Sequence, residues 1–403
     1  MGSKHSMRHR MNILMSEAKE LLARPSHDPV LFAFAGPQGN VIGKGAPAQV
    51  ARGTAATLAN RVARALDDAG PGALIGGALP FDRADRDCLW LCRRMATHPA
   101  MSVAPGVPAT NPNLVAEPSA AEYASLVSRA LAAMDADAGR AEALEKIVLA
   151  RTLRVEAREE ISPDALMARL GQDPAVTAFR VALPPRGQAR RTLVGGTPEL
   201  LVEKSGASIT SHPLAGSARR EADRTADRTA SEALLRSEKD QREHAFVVEY
   251  IMDALAPWCR ELGAPDGTTL TSTRSMWHLG TRITGKLKDP ETPSVLLAAL
   301  LHPTPAVCGL PMARAYDLIG ELEPVPREFY AGAVGWCDQR GDGAWHVAIR
   351  CAEISGHVAR LYAGAGIVPG SDPMAEAAET GAKFGALLAA LGLPADAALT
   401  TND

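Results

Sequence analysis

Two acidic pairs in this chain carry the same spacing. Asp240 and Glu243 lie three apart in SEKDQREHAFVVEY (237–250), and Glu376 and Glu379 repeat that spacing in SDPMAEAAETGAKF (371–384). Residues three apart on a helix share a face, so each pair presents two carboxylates in one direction. On the first helix the acids continue the apolar row Val247, Tyr250, Ile251 and Ala254, a stripe that should bury hydrocarbon. Four buried carboxylates without a compensating cation are costly to ionise. A hard divalent ion is the simplest compensation, and oxygen-only ligands with room for water point to Mg2+. Plainer readings exist for both pairs. Glu243 could be solvated or paired with Arg242, while acids near a helix N-terminus suit the dipole and Glu379 to Lys383 is a favourable surface pair.

Other polar residues stand in apolar company. Lys146 opens KIVLAR, Glu199 sits in GTPELL, and Arg350 lies inside AWHVAIRC. A Lys at a strand start or a Glu in a turn is usually just solvated; a guanidinium inside so apolar a strand calls for a carboxylate. AGAGIVPG (363–370), with Gly364, Ala365 and Gly366, fails as a dinucleotide loop because Pro369 stands where the helix should start. It reads better as a strand end whose backbone N–H groups can meet a carboxylate, and Gly216 and Ser217 in SHPLAGSARR make a second such loop. Arg219 and Arg220 read as solvated or structurally paired. His278 in MWHLGT is ambiguous from sequence.

These residues need elements to hold them. Residues 30–36 and 73–81 read as strands, with a helix at 52–66 between them. Residues 100–118, rich in Pro and Asn, read as a loop or linker, and 119–134 as an amphipathic helix. Strands are expected at 146–157 and 176–183 around a helix at 163–171, then strand and turn over 193–220. One long helix is expected from about 227 to 260, and another at 294–301. Strands follow in EFYAGAVGWCD, AWHVAIRCAEI and VARLYAGAGIV, then a helix from Pro373 to Leu391. Three successive strands argue against β-α alternation and a doubly wound sheet, and the class is mixed α and β.

The bulk numbers exclude several classes. The 403 residues are 46% hydrophobic and 22% charged with net charge −3, which leaves no basic footprint for nucleic acid. No apolar run is long enough to span a membrane. The start, MGSKHSMRHRMN, lacks a signal-peptide core, so a cytoplasmic location is expected; residues 1–11 read as a disordered basic start or tag remnant, although MGSKHS matches the loose myristoylation pattern. The six cysteines form no C-x-x-C and read as reduced, buried thiols.

The motifs TPELL, SHPLAGSARR, SEKDQREH, MWHLGT, LLHPTPAVCGLP, REFYAGAVGWCD, IRCAEI, AGAGIVPGSDP and ETGAKF occur in order over residues 146–392. Together they closely resemble the isochorismate synthases of siderophore and menaquinone biosynthesis, within the chorismate-utilising enzymes that include salicylate, anthranilate and aminodeoxychorismate synthases. The resemblance implies an α/β (α+β) fold of two halves, with layered antiparallel sheets, helices outside and the active site in the cleft between. It implies a single catalytic domain over 12–395, whose 12–118 part matches only weakly, a flexible tail at 396–403, and a monomer.

The resemblance also implies roles. Glu243 and Glu379 match direct Mg2+ ligands, with Asp240 and Glu376 acting through water. Lys146 matches the base that activates water for attack at C2 of chorismate, and Glu199 the acid that protonates the departing C4 hydroxyl; both need a low-dielectric setting. Gly216, Ser217 and Gly364 to Gly366 would donate hydrogen bonds to substrate. Arg350 and Lys383 would hold the enolpyruvyl carboxylate, with Tyr330 and His278 lining the ring. Lys146 favours water over ammonia as nucleophile. Ala306, where pyruvate-expelling members typically have threonine, favours release of isochorismate; a salicylate-forming lyase is the alternative.

Overall fold

The computed structural model describes residues 29–45, 48–93, 112–140 and 142–400. Two nine-stranded sheets and one of three strands make up its β structure, and every strand pairing described is antiparallel. In the first large sheet, Lys146–Glu156 is the longest strand and lies between Gly309–Leu310 and Val358–Ile367; Asn113–Glu117 also pairs with it. Cys351–Ser355, Ala189–Thr197, Thr177–Arg186, Val30–Gly36 and Gly39–Lys44 complete that sheet. The second is built around Leu200–Ser205, Gly343–Val347, Ala333–Asp338 and Ala73–Leu79. The small sheet holds Leu214–Arg219, Met276–Thr281 and Thr268–Ser272.

The two large sheets pack face to face. Phe32 and Phe179 from one and Ile75, Leu89, Val202 and Trp345 from the other share one buried apolar cluster. Contact is close enough that a Cβ on Gly76 would strike the Phe32 ring at 2.5 Å. Trp90 Nε1 donates across the layers to the Ala182 carbonyl at 2.7 Å. The far face of the first sheet is covered by helices Pro163–Leu170 and Pro373–Ala390, where Leu153, Val194 and Leu361 meet Leu166, Phe384 and Leu387. Helices thus lie outside layered antiparallel sheets, as expected.

Several boundaries differ from the sequence expectations, each for a local reason. The helix expected at 52–66 is Leu58–Ala69, preceded by a short turn. The segment 100–118 ends in the strand Asn113–Glu117, and its residues up to 111 lie outside the described ones. The long helix expected from 227 to 260 is two, Arg224–Arg236 and Glu238–Leu255. Ser237 adopts an extended conformation between them and accepts a hydrogen bond from the Asp240 backbone, as an N-cap does. Residues 259–263 form a strand instead of its final turn. The tail expected to be flexible contains the helix Ala397–Thr400, with Ala398 buried against the second core. The start at 1–11 lies outside the described residues.

The break that matters most falls inside AWHVAIRCAEI, expected as one strand. Gly343–Val347 belongs to the second sheet and Cys351–Ser355 to the first, and the chain crosses between them at Arg350, whose φ is 51°. A non-glycine residue in this region is strained and persists only where its surroundings hold it. A second crossing runs from Ala189–Thr197 to Leu200–Ser205 through Pro198 and Glu199. The crossings are tied together: Gly196 N donates to Arg350 O at 3.1 Å, and Val347 N to Glu199 O at 3.2 Å.

Candidate active site

A cleft at these crossings is lined by Glu199, Gly216, Ser217, Asp240, Glu243, His278, Ala306, Tyr330, Arg350, Gly364, Gly366, Glu379 and Lys383. It is a partly open concavity whose lining mixes apolar side chains with charged groups of both signs, the make-up of a polar small-molecule site. Three expected residues do not line it. Ala365 is buried on the opposite face of its strand, as alternation requires. Glu376 is buried and paired with Lys239, which does line the cleft. Lys146 is wholly buried, behind Glu243.

Position follows from local structure. On the Glu238–Leu255 helix the fully buried row is His244, Val247, Ile251 and Leu255, so Asp240 and Glu243 border the apolar face rather than continue it. The second acidic pair opens the Pro373–Ala390 helix, N-capped by Asp372 with Pro373 in the first turn. The strands facing these acids approach closely because they carry glycine. Gly216 has φ +68°, at a bulge in its strand, and a Cβ there would meet the Asp240 side chain at 2.9 Å. A Cβ on Gly366 would lie 2.6 Å from Glu243 Oε1 and 3.3 Å from Lys146 Cε.

The expectation of four carboxylates awaiting a cation needs correction. Three carry lysine partners: Lys146 Nζ lies 2.9 Å from Glu243 Oε1, Lys239 Nζ 3.2 Å from Glu376 Oε1, and Lys383 Nζ 2.5 Å from Glu379 Oε1. Arg242 pairs with Glu145 instead of Glu243. Among the described residues no group of three or more His, Cys, Asp or Glu side chains forms a preassembled metal cluster. The donors still suit a hard divalent cation, being carboxylate oxygens converging from two helices. Burial raises the pKa of Asp240, with repulsion from Glu243 and Glu379 adding, and burial with repulsion from Glu379 raises that of Glu376. Burial acts the same way on Glu379, but Lys383 and Ser217 outweigh it and hold that carboxyl below its usual range.

Across the cleft the chemistry changes. Glu199 is buried, and desolvation pushes its pKa up to about 8, against smaller opposing effects of the Leu214 backbone and Lys146. It is therefore a neutral acid near pH 7. Burial, together with Arg350 and Lys383, pulls His278 down to about 3, so its ring is neutral. Register pairs His278 with Ser217, whose Oγ donates to Glu379 Oε1 at 3.1 Å. Arg350 lines the cleft with no hydrogen bond or ion pair to its guanidinium among the described residues; Glu379 is the carboxylate that acts on it, through charge alone. Tyr330 stacks on Tyr362 at 4.9 Å and 13°, and its hydroxyl lies 2.9 Å from where a Gly364 Cβ would be.

Two features were not drawn from the sequence. Lys239 stands beside Asp240 in SEKDQREH and reads there as a surface charge. Arg327 and Glu323 form a buried pair, with Arg327 Nη2 donating to Glu323 Oε1 at 2.5 Å and to Val148 O at 2.6 Å, and Nη1 to Val307 O at 2.7 Å. The guanidinium thereby joins the strand that begins at Lys146 to the loop that carries Ala306. An arginine four residues after a glutamate is the only sequence signal for it.

The chain matches the family model described as chorismate binding enzyme over residues 91–392. It is 38% identical over 399 residues to isochorismate synthase DhbC of Bacillus subtilis, covering 94% of this chain and 98% of that one. It is 43% identical over 251 residues to isochorismate synthase EntC of Escherichia coli, covering 62% of this chain and 63% of that one. The crystal structure of DhbC from Bacillus anthracis superposes with a TM-score of 0.80 at 36% identity, over 93% of this chain and 99% of that one.

Proposed function

The chain belongs to the chorismate-binding enzyme family, and from that premise we propose that it converts chorismate into isochorismate. Water adds at C2, the ring double bonds shift, and the C4 hydroxyl leaves. The observation that carries this reading is a neutral buried acid, Glu199, facing a cleft that also holds cations for an anionic substrate.

Glu199 gives its proton to the departing C4 hydroxyl, which leaves as water. The proton lost by the attacking water goes to Lys146. An ammonium has no lone pair, so Lys146 acts only in its neutral form, with Glu243 turned elsewhere. Each turnover leaves Lys146 protonated and Glu199 ionised, and the proton returns through solvent before the next. Arg350 and Lys383 hold the enolpyruvyl carboxylate, a guanidinium being suited to a two-point grip. Backbone and hydroxyl donors at Gly216, Ser217, Gly364 and Gly366 fix the ring against Tyr330 and neutral His278, and Ala306 leaves its wall small. Mg2+ would be held by Glu243 and Glu379, with Asp240 and Glu376 behind, and supplies charge neutralisation at the ring carboxylate.

Incubation of the purified protein with chorismate, with and without EDTA, and separation of the products with mass detection tests this. The expected product has the mass of chorismate, a different retention time, and disappears with EDTA. Salicylate with stoichiometric pyruvate would assign the lyase reaction instead.

A further inference from the structure

The lysines among the carboxylates are not equivalent. Lys146 is buried, and Lys383 donates to the Gly364 carbonyl at 2.8 Å besides pairing with Glu379. Lys239 pairs with Glu376 alone among the described residues, and 47% of its side chain is exposed against 4% for Glu376. It occupies the second position of the Glu238–Leu255 helix, where a cation opposes the helix dipole and contributes nothing to helix formation. Its long stem nonetheless carries the ammonium to a buried acid on another helix, at the edge of the cleft. Burial works against its charge there, but Glu376, Glu243 and Asp240 outweigh it. A half-exposed lysine with one ionic contact can leave its place; the other two are fixed by burial or by a second bond.

We infer that Lys239 is a displaceable counter-cation: it neutralises the acidic cluster in the metal-free enzyme and competes with the divalent ion for it, so that it sets the metal affinity. Its flexible stem and half-exposed position let the ammonium turn toward the mouth of the cleft when the ion enters. The inference rests on the Mg2+-dependent function above. It differs from an ordinary structural ion pair in one consequence: removing the lysine tightens metal binding.

The test is titration calorimetry of the full-length protein with Mg2+ alone, for wild type, Lys239→Gln and Lys239→Arg, with thermal melts at zero and saturating Mg2+. Lys239→Gln should bind Mg2+ about two- to fivefold more tightly, as expected for loss of one partly exposed competing ion pair. Its metal-free form should melt lower than wild type and gain more from Mg2+, because a ligand stabilises by mass action. Lys239→Arg, which keeps the charge, should bind no more tightly than wild type. Unchanged or weaker Mg2+ binding by Lys239→Gln, with wild type still binding, overturns the role of Lys239 and leaves the proposed function standing. Absence of Mg2+ binding by wild type overturns the metal and this inference together.

Discussion

Lys146 Nζ and Glu243 Oε1 lie 2.9 Å apart in a setting where the lysine is wholly buried and the glutamate borders an open cleft. The residue placed as base is thus joined to a residue placed as metal ligand. Lys146→Gln removes the proposed base and leaves Glu243 without its cation. Turnover should fall by at least about 100-fold, the usual scale of a lost general base. Steady-state assay of isochorismate formation measures this, and activity within tenfold of wild type would remove Lys146 from the chemistry.

Glu199 gives a prediction in pH. The proposed mechanism needs its protonated form and burial holds its pKa up to about 8, so kcat/KM should decline above that pH by about tenfold per unit. Stability moves in a related way. The unfolded carboxyl ionises near its ordinary 4.5 while the folded one keeps its proton to about 8, so the fold loses stability as pH rises between those values. Glu199→Gln escapes that loss. It should be inactive and should melt higher than wild type at about pH 9, with the advantage gone below about pH 4. A variant that melts lower at high pH would show that the ionised group has a partner.

Much of this site was legible in the sequence, and the limits have physical causes. Glu243 and Glu379 were marked by repeated spacing, and the cleft contains both. Of the lysine partners only Lys383 for Glu379 was legible, from its spacing; Lys146 and Lys239 were not, because a Lys at a strand or helix start looks the same whether its ammonium reaches water or a buried acid. The apolar pattern of AWHVAIRCAEI runs on without a gap, whereas the strands end at Val347 and resume at Cys351 around the positive φ of Arg350, for which apolar patterning carries no signal. Ser217, His278 and Glu379 lie on three elements far apart in sequence, and only pairing across the small sheet and the packing of the Pro373–Ala390 helix bring them together.

Arg350 lines the cleft at a strained position and makes no ion pair among the described residues. Arg350→Lys keeps the charge but loses the planar fork. KM for chorismate should rise and kcat/KM fall by about ten- to 100-fold, the scale of one or two charge-assisted hydrogen bonds. An unaltered KM would place the substrate carboxylate elsewhere.

Arg327 carries no charge to the cleft but joins its walls. With Glu323 buried beside it, Arg327→Met strands a carboxylate and frees the Val148 and Val307 carbonyls. The expected cost is about 3–5 kcal/mol of stability, read from urea unfolding at fixed m-value. The double variant Arg327→Met, Glu323→Leu should recover part of it. A single variant as stable as wild type would contradict the joining role.

The central claim is that the new hydroxyl comes from solvent water while the old one departs. Turnover of chorismate in water enriched in heavy oxygen, followed by mass analysis of the isochorismate, tests it directly. The account predicts incorporation of one solvent oxygen at C2 in every product molecule. Unlabelled isochorismate would mean that the original hydroxyl migrates within the molecule, and would contradict the assignment of Lys146 and Glu199 as base and acid for two different oxygens.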